Sequence, residues 1–389
     1  MNRSLNILIA IESFWDGGAE MFAIRLANDI SLNCNVCFVE LYPYRSIPKK
    51  QIRLIDSSRV HLLQIGKNNF GDWLYKKRKN SSNRLFHFLR ILQEKLIQFQ
   101  IKFILKKYKI NVVNSHSWDT DLYFANLKDS FDYNLVSTFH GHYEFLKNIR
   151  ADFEKNTTFI LSRVNNVIYT SSKHIETLDS YICPQLVRHK IFYGISHTIA
   201  STPTFYKKGE VLKIIMAARG IIEKGWEQAI LAVIALSVLY PEKIELDLYG
   251  EGPHLDYLKS KYQYDNIQFH GYIEDVKSVI CNSHIGILPT YYSAESLPNS
   301  VIEYLVCGKP VISTKIGAIE EMINVNGKSA GKCLDISIGI ADVADLILTL
   351  EDYIINPDQV EKHSHLALEA AKKFTMEACV LNYLKVFSN

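Results

Sequence analysis

Two carboxylates eight positions apart, Glu295 and Glu303, are the residues whose types best suit binding of a polar ligand. The short apolar run Ile285–Leu288 before them predicts a buried strand, and the apolar spacing over 301–306 predicts a helix that carries Glu303. A carboxylate accepts hydrogen bonds from two hydroxyl groups, and charge-assisted bonds contribute about 1.5–3 kcal/mol each. Both glutamates therefore suit the hydroxyl groups of a sugar or a ribose.

The start of the same helix suits an anion. Ser296 is the predicted N-cap, and Pro298 fits the first turn because that position needs no N–H group. The free N–H groups of Asn299 and Ser300 then favour a phosphate. A ligand with a sugar at one end, a diphosphate in the middle and a ribose beyond spans these groups.

Two further candidates follow predicted strands in the first half of the chain. Gly17 and Gly18 lie between a strand predicted over 5–11 and a helix, where a glycine turn brings backbone N–H groups against a phosphate. His140 follows a strand predicted over 135–138, at the end where α/β proteins bind ligands. An imidazole suits proton transfer or a hydrogen bond to a hydroxyl group, and His142 competes for this role.

The Glu295 motif resembles a known family. The two glutamates form E-x7-E and are followed by CGKPVIST and a glycine, an arrangement similar to the donor site of the GT-B glycosyltransferases of retaining family 4. Arg219 and Lys224 resemble the family's R…K-G motif, whose cations hold the donor diphosphate. The resemblance implies that Glu295 contacts the sugar, that Glu303 contacts the ribose, and that the catalytic His140 lies beside the reacting carbon. It assigns donor binding also to Gly17, Gly18, Gly250, Leu297, Asn299 and Ser300.

Two positions depart from the family pattern. Tyr193 stands where the segment usually reads Asn-Gly, and Ala318 stands where a second glycine is usual. The departure at Ala318 leaves the local backbone conformation open.

The resemblance, together with the alternation of strands and helices, predicts an α/β fold of the GT-B type, with two Rossmann-like doubly wound domains facing each other across a cleft. We expect residues 1–200 to form an acceptor-side domain and residues 201–370 to form the nucleotide-sugar donor domain. Family resemblance suggests that a helix within residues 371–389 crosses back to the first domain.

Composition narrows the class of protein. The 389 residues are 48% hydrophobic and 22% charged, as in soluble globular proteins, and no apolar run approaches the roughly 20 residues that a membrane span needs. No signal peptide is expected, and the seven cysteines lie mostly in apolar runs, which favours a cytoplasmic protein. The sequence contains no G-x-G-x-x-G motif, and this absence disfavours a dinucleotide dehydrogenase. Asp119 and Asp121 read as helix-capping residues rather than metal ligands, so neither a metal nor a cofactor is expected.

The charge of the chain is uneven. Residues 67–109 hold twelve basic and two acidic residues, a net charge of +10, so the remainder carries −7 of the total of +3. The basic stretch 67–84 fits either a solvated loop or peripheral contact with an anionic membrane, and nucleic acid is disfavoured because no binding motif accompanies the charge. The helix that follows is predicted to pack on a sheet through an apolar stripe, which comprises Leu85, Leu89, Leu92, Leu96, Phe99 and Phe103.

The expected function is retaining, metal-independent transfer of a sugar from a UDP-sugar or GDP-sugar to an acceptor hydroxyl on a lipid-linked or polysaccharide glycan. The alternatives are a sugar-nucleotide epimerase, a phosphorylase and a non-catalytic sugar-nucleotide-binding subunit. The sugar, the base, the acceptor and the oligomeric state stay open.

Overall fold

The computed structural model describes residues 5–14, 18–43, 51–66, 84–176, 178–181, 186–195, 200, 203–293 and 295–388. The chain divides into two compact units. Unit 1 comprises Met1–Gly194 and Met376–Asn389, and unit 2 comprises Ile195–Thr375. Gly17 and residues 67–83, which include nearly all of the basic stretch, lie outside the described residues.

Unit 1 is built on a seven-stranded sheet in which every neighbouring pair of strands is parallel. The strand order is β3-β2-β1-β4-β5-β6-β7. These strands are β1 (Asn6–Ile11), β2 (Asn35–Glu40), β3 (Val60–Gln64), β4 (Val112–Ser115), β5 (Asn134–Phe139), β6 (Asn166–Tyr169) and β7 (Val187–Lys190). The central strands are buried because helices cover the sheet, as expected for parallel strands.

The helices of unit 1 connect these strands, and the last one comes from the C-terminus of the chain. They are α1 (Gly18–Ile30), α2 (Arg84–Lys107), α3 (Trp118–Leu127), α4 (His142–Ile149), α5 (Phe153–Arg163), α6 (Ser172–Glu176) and, after the strands and helices of unit 2, α14 (Met376–Ser388). Helix α14 packs against α1 and β5. A 3-10 turn, Lys372–Phe374, separates α14 from the preceding helix.

Unit 2 has a six-stranded parallel sheet in the order β10-β9-β8-β11-β12-β15. Its strands are β8 (Leu212–Ala217), β9 (Ile244–Tyr249), β10 (Ile267–Gly271), β11 (Ile285–Leu288), β12 (Val311–Thr314) and β15 (Gly331–Leu334), with two small hairpins of β13 (Asn324–Val325), β14 (Lys328–Ser329), β16 (Ile336–Ser337) and β17 (Ile340–Ala341). Its helices are α7 (Trp226–Leu239), α8 (Pro253–Lys261), α9 (Val276–Cys281), α10 (Asn299–Val306), α11 (Ile319–Ile323), α12 (Val343–Ile355) and α13 (Pro357–Ala371).

Both sheets reverse their strand order at one point, beside β1 and β4 in unit 1 and beside β8 and β11 in unit 2. Ligands of doubly wound sheets bind at such switch points, outside the carboxyl ends of the strands. The predicted α/β doubly wound architecture is therefore confirmed, and each unit has one position where its fold favours a ligand.

The predicted packing face of α2 is wrong. Of the stripe expected to face the sheet, Leu92, Leu96, Phe99 and Phe103 are exposed. The buried face lies on the opposite side of the helix and consists of Ile97, Ile101, Ile104 and Leu105. Both faces repeat with helical spacing, so the pattern alone did not distinguish them. Within the described part of the chain, no helix has the length and apolarity needed to cross a membrane.

Candidate functional site

The loops after β8 and β11 are bonded to each other at the switch point of unit 2. The carbonyl oxygen of Glu223 accepts hydrogen bonds from the Tyr291 N–H group at 2.7 Å and from the Thr290 hydroxyl at 3.1 Å. Gly225, with φ of 82°, lies where an added Cβ would be 2.1 Å from the Pro289 carbonyl oxygen. This close approach requires glycine, and it fixes the loop that carries Lys224 against the loop that carries Glu295.

Lys224 and Glu295 form a buried ion pair. Their side chains are 8% and 10% exposed, and the Glu295 carboxylate also accepts a hydrogen bond from the Thr290 hydroxyl at 3.3 Å. Arg219 is exposed, and its guanidinium lies 5.7 Å from the ring centre of Tyr292, while the Lys224 ammonium lies 5.2 Å from the same ring. The fold thus brings together both predicted diphosphate cations and the predicted sugar-binding carboxylate.

The Arg219 loop also packs backbone to backbone against the loop after β9. The Gly220 N–H group donates to the Glu251 carbonyl oxygen at 2.8 Å, and a Cβ added to Gly250 would lie 2.1 Å from the Ala218 carbonyl oxygen. Gly250 therefore supports the Arg219 loop through close packing, whatever its contact with a ligand.

Helix α10 is tied to both switch-point strands through its own side chains. It begins at Asn299 with Pro298 as N-cap, two residues later than the predicted cap. The Ser300 hydroxyl donates to the Ala217 carbonyl oxygen at the end of β8. The buried Tyr304 hydroxyl accepts a hydrogen bond from the Ala217 N–H group at 2.8 Å and donates to the Ile287 carbonyl oxygen at 3.2 Å. The first turn of α10, with the half-buried Asn299 and Ser300, is thereby fixed at the switch point.

The remaining predicted donor-site residues surround the Glu295 loop. Gly317, with φ of 58°, packs so closely that an added Cβ would be 2.2 Å from the Glu295 carbonyl oxygen. Ala318 has φ of −97°, which any residue adopts, so the second glycine of the family pattern is not needed there. Leu297 is buried, and Glu303 is half-buried on α10, one helical turn after Asn299.

In unit 1, His140 belongs to a chain of hydrogen bonds at the carboxyl ends of β4 and β5. The two side-chain N–H groups of Asn114 are directed at the Val136 carbonyl oxygen, at 3.1 Å, and at the Thr138 hydroxyl, at 2.9 Å. Its side-chain oxygen lies 2.8 Å from His116 Nε2, and His116 Nδ1 lies 3.0 Å from His140 Nε2.

The direction of each hydrogen bond in this series follows from Asn114. Its side-chain oxygen accepts, so His116 Nε2 carries a proton. Burial, with a smaller contribution from His140, holds the pKa of His116 well below its usual value, so the ring is neutral and its Nδ1 accepts from His140 Nε2. With its proton at Nε2, His140 accepts at Nδ1 from the hydroxyl of Tyr193. Both ring nitrogens of the half-buried His140 are thus engaged within unit 1.

Asp119 and Asp121 both bond to other residues of unit 1. The Asp119 carboxylate lies 3.1 Å from the Arg150 guanidinium, and the buried Asp121 accepts hydrogen bonds from the Ser115 hydroxyl and, at 2.6 Å, from the Tyr143 hydroxyl. Burial raises the pKa of Asp121 to about 6. Among the described residues, no group of three or more His, Cys, Asp or Glu side chains is arranged to hold a metal ion.

Sequence reasoning missed four residues that position the site. Tyr193 was considered only as a departure from the family pattern, and His116 was not considered as a candidate, although it directly follows β4 as His140 directly follows β5. Gly286 and Tyr304 lie in a strand and a helix that were correctly predicted, and their contact has no local sequence signal. The side chain of His142 lies outside the described residues.

The unit 2 site lies in a segment of the chain that is similar to known proteins. Residues 212–352, which contain β8, β11 and α10, match the family model described as "Glycosyl transferases group 1". This part of the chain is similar to the group 1 glycosyltransferases. A human relative of the chain, a phosphatidylinositol N-acetylglucosaminyltransferase subunit, is 23% identical over 337 residues, and the match covers 83% of this chain and 65% of the human protein. The gpi3 subunit of the corresponding Schizosaccharomyces pombe enzyme is 26% identical over 173 residues, 42% of this chain and 37% of that protein.

The match therefore spans only 65% of the length of the human relative and 37% of the length of the fission yeast relative. The fold of the chain is that of GT-B proteins of known structure. Sucrose-phosphate synthase from Thermosynechococcus elongatus has a TM-score of 0.73 at 16% identity and 98% coverage of both chains. Anabaena Alr3699/HepE in complex with UDP and glucose has a TM-score of 0.72 at 13% identity, covering 99% of this chain and 100% of that chain. The GT-B fold predicted from the sequence is thus confirmed.

Proposed function

We propose that this chain is a retaining, metal-independent glycosyltransferase that moves a sugar from a UDP-sugar to a hydroxyl group of a lipid-linked acceptor. One observation carries the proposal. Lys224, Glu295 and the first turn of α10 meet at the switch point of unit 2, with the Arg219 guanidinium over the neighbouring Tyr292 ring. A nucleotide-diphosphate sugar offers the anion and the hydroxyl groups that these residues suit.

Arg219 and Lys224 would neutralise the negative charge that develops on the diphosphate as its bond to the sugar breaks. An exposed guanidinium binds phosphate oxygens in a planar, two-pronged geometry, and a lysine ammonium acts as a point charge. The pairing with Glu295 would hold the Lys224 ammonium beside the diphosphate, while the other carboxylate oxygen of Glu295 binds a sugar hydroxyl. Glu303, one turn into α10, would accept the hydroxyl groups of the ribose.

The chemistry at the sugar carbon follows from these positions. The acceptor hydroxyl attacks on the face from which the diphosphate leaves, and a leaving phosphate oxygen takes the acceptor proton, so the anomeric configuration is retained. His140 would orient the sugar beside the reacting carbon. Because its two ring nitrogens are engaged by His116 and Tyr193, we assign it a fixed ring position rather than free proton exchange.

Two comparisons favour the donor and acceptor classes. The human and fission yeast relatives are named for transfer of N-acetylglucosamine to phosphatidylinositol, and the Anabaena structure holds UDP and glucose. These names favour UDP over GDP and a lipid over a free sugar as the first substrates to try.

The test is a transfer assay with the whole 389-residue chain, UDP-sugars and GDP-sugars, and a lipid-extract acceptor, with and without EDTA. We expect one UDP-sugar to be consumed in an acceptor-dependent, EDTA-insensitive reaction whose product keeps the anomeric configuration by NMR. Glu303→Ala should weaken UDP binding by at least about 1.5 kcal/mol, roughly tenfold, in calorimetry. Glu361→Ala, an exposed glutamate on α13, is the control and should bind UDP as the unaltered protein does.

Several outcomes contradict parts of this proposal. An unchanged UDP affinity in Glu303→Ala removes the ribose assignment. Activity abolished by EDTA removes metal independence. Binding of UDP-sugars without turnover favours a sugar-nucleotide-binding subunit, and turnover that needs phosphate or no acceptor favours a phosphorylase or an epimerase.

A further inference from the structure

Helix α2 carries an apolar face that the described residues of unit 1 leave exposed. Leu92, Leu96, Phe99 and Phe103 are spaced by four, three and four residues and are 41%, 50%, 70% and 58% exposed. Together with Phe88 at 62%, they form a stripe about 22 Å long at 1.5 Å per residue. We call these five residues the α2 stripe. Contiguous exposed apolar surface of this kind marks an interaction site in a folded protein.

The stripe does not take part in the core of unit 1. Ile97, Ile101, Ile104 and Leu105 of the same helix are 6% exposed or less and belong to that core. The helix is therefore anchored by one side and presents the opposite side to solvent. The helix is apolar on both sides but buries only one of them, so its exposed apolar side is available to bind a second partner.

Lysines border the stripe in a regular manner. Lys95, Lys102 and Lys106 each follow a stripe residue by three positions, which places them beside the stripe on the helix surface. The Lys107 ammonium lies 5.9 Å from the ring centre of Phe103. Helix α2 holds six basic residues and one acidic residue, Glu94. The rim is thus strongly positive beside an apolar centre.

We propose that the α2 stripe and its lysine rim dock unit 1 onto an anionic lipid surface, with Phe and Leu side chains at the acyl boundary and the ammonium groups among the headgroups. Interfacial helices combine an apolar face with a basic polar face in this way. A second copy of this chain fits less well because two such faces would bring their lysines together. The proposal rests on α2 alone and is independent of the proposed sugar transfer.

The test measures sedimentation of the whole 389-residue chain with vesicles of phosphatidylcholine, with or without phosphatidylglycerol, in the absence of sugar nucleotides. We expect binding to the anionic vesicles only, weakened by salt because the headgroup attraction is screened. The double variant Leu96→Asp/Phe99→Asp should lower the partition coefficient about thirtyfold or more, since two apolar side chains no longer enter the membrane. Each of Lys95→Gln and Lys106→Gln should lower it about fivefold.

The matched control is Val238→Asp/Leu348→Asp, which changes two hydrophobic residues of unit 2 that are 78% and 62% exposed. It should sediment as the unaltered protein does, and all variants should keep the same circular dichroism. The proposal is overturned if the unaltered protein stays in solution with both vesicle types, or if it binds them equally. It is also overturned if the α2 double variant still sediments, or if light scattering shows that this variant converts an oligomer into a monomer.

Discussion

At the residue scale, the histidine chain of unit 1 explains why Tyr193 replaces the residue usual in the family. Its hydroxyl group donates to His140 Nδ1, and Thr170 provides a further hydrogen bond to the same hydroxyl. The ring of Tyr193 also stacks on Phe22, with ring centres 4.1 Å apart. Tyr193 therefore fixes both the tautomer and the plane of the His140 ring, which an asparagine is too short to do in the same way.

We predict that Tyr193→Phe lowers kcat about tenfold and leaves the affinity for UDP unchanged, because only the orientation of His140 is lost. Spectra of 15N-histidine should show His140 protonated at Nε2 in the unaltered protein and a mixture of tautomers in the variant. Tyr133→Phe is the control, since it removes a buried hydroxyl that donates to the Phe124 carbonyl oxygen at 2.6 Å, outside the histidine chain. Equal loss of activity in both variants would show a general effect on stability.

Asp121 makes the stability of unit 1 depend on pH. Its pKa is raised by burial from 3.8 to about 6, so the folded state keeps this proton to a higher pH than the unfolded state. Its contribution to stability is therefore present at pH 4 and is lost as the pH rises through 6, by about 3 kcal/mol for a shift of this size. The lowered pKa of His116 acts in the opposite direction, because below its usual value of 6.5 the unfolded state binds the extra proton.

We predict that Asp121→Asn removes only the first of these two effects. The free energy of unfolding of the variant, minus that of the unaltered protein, should rise by about 3 kcal/mol between pH 4 and pH 7. Taking this difference cancels the contribution of His116, which is common to both proteins. Urea denaturation at several pH values measures it, and a constant difference would mean that Asp121 is ionised throughout.

At the element scale, the contact between β11 and α10 decides where the first turn of α10 lies. Gly286 has no side chain, and an added Cβ would be 2.3 Å from the ring of Tyr304. This space lets Tyr304 reach the backbone of Ala217 and Ile287 and so connect β8 to β11. A glycine inside a strand often marks such a close approach.

We predict that Gly286→Ala destabilises the protein by about 3 kcal/mol, because the buried Tyr304 ring must move. Gly209→Ala is the comparison. It adds a Cβ with nothing within 4 Å, so only its φ of +94° opposes the change, at a cost of about 1 kcal/mol. Thermal unfolding measures both. If Gly286→Ala were no worse than Gly209→Ala, the ring of Tyr304 would have room that the structure does not give it.

The elements that the sequence failed to predict are those without a buried apolar run. Strand β7 reads Val-Arg-His-Lys and lies at one edge of its sheet with mostly exposed side chains. Strand β15 begins with glycine and is a short edge strand of the other sheet. Edge strands need little hydrophobic surface, so their sequences lack the apolar run by which a strand is recognised. By contrast, β11 was predicted with the boundaries that it has, because it is a short apolar run that is buried throughout.

At the scale of the whole molecule, each unit has its own parallel sheet, and the predicted donor residues lie in unit 2. We predict that UDP protects unit 2 selectively. At a hundred times its dissociation constant a ligand stabilises the state that binds it by about 2.7 kcal/mol. Hydrogen exchange with and without UDP should show the largest added protection over residues 212–225 and 285–306. Protection confined to unit 1 would contradict the assignment of the donor site.

The sequence by itself determined most of the strands and helices, the α/β class and the resemblance to a glycosyltransferase family, because local apolar spacing and the motifs around Glu295 and Glu303 are read along the chain. The tertiary structure decided what depends on residues far apart: the strand orders that create the two switch points, the pairing of Lys224 with Glu295, and the chain from Asn114 to Tyr193. It also decided which of two apolar faces of α2 is buried, since a helical repeat gives the period of a face but not the neighbour against which it packs.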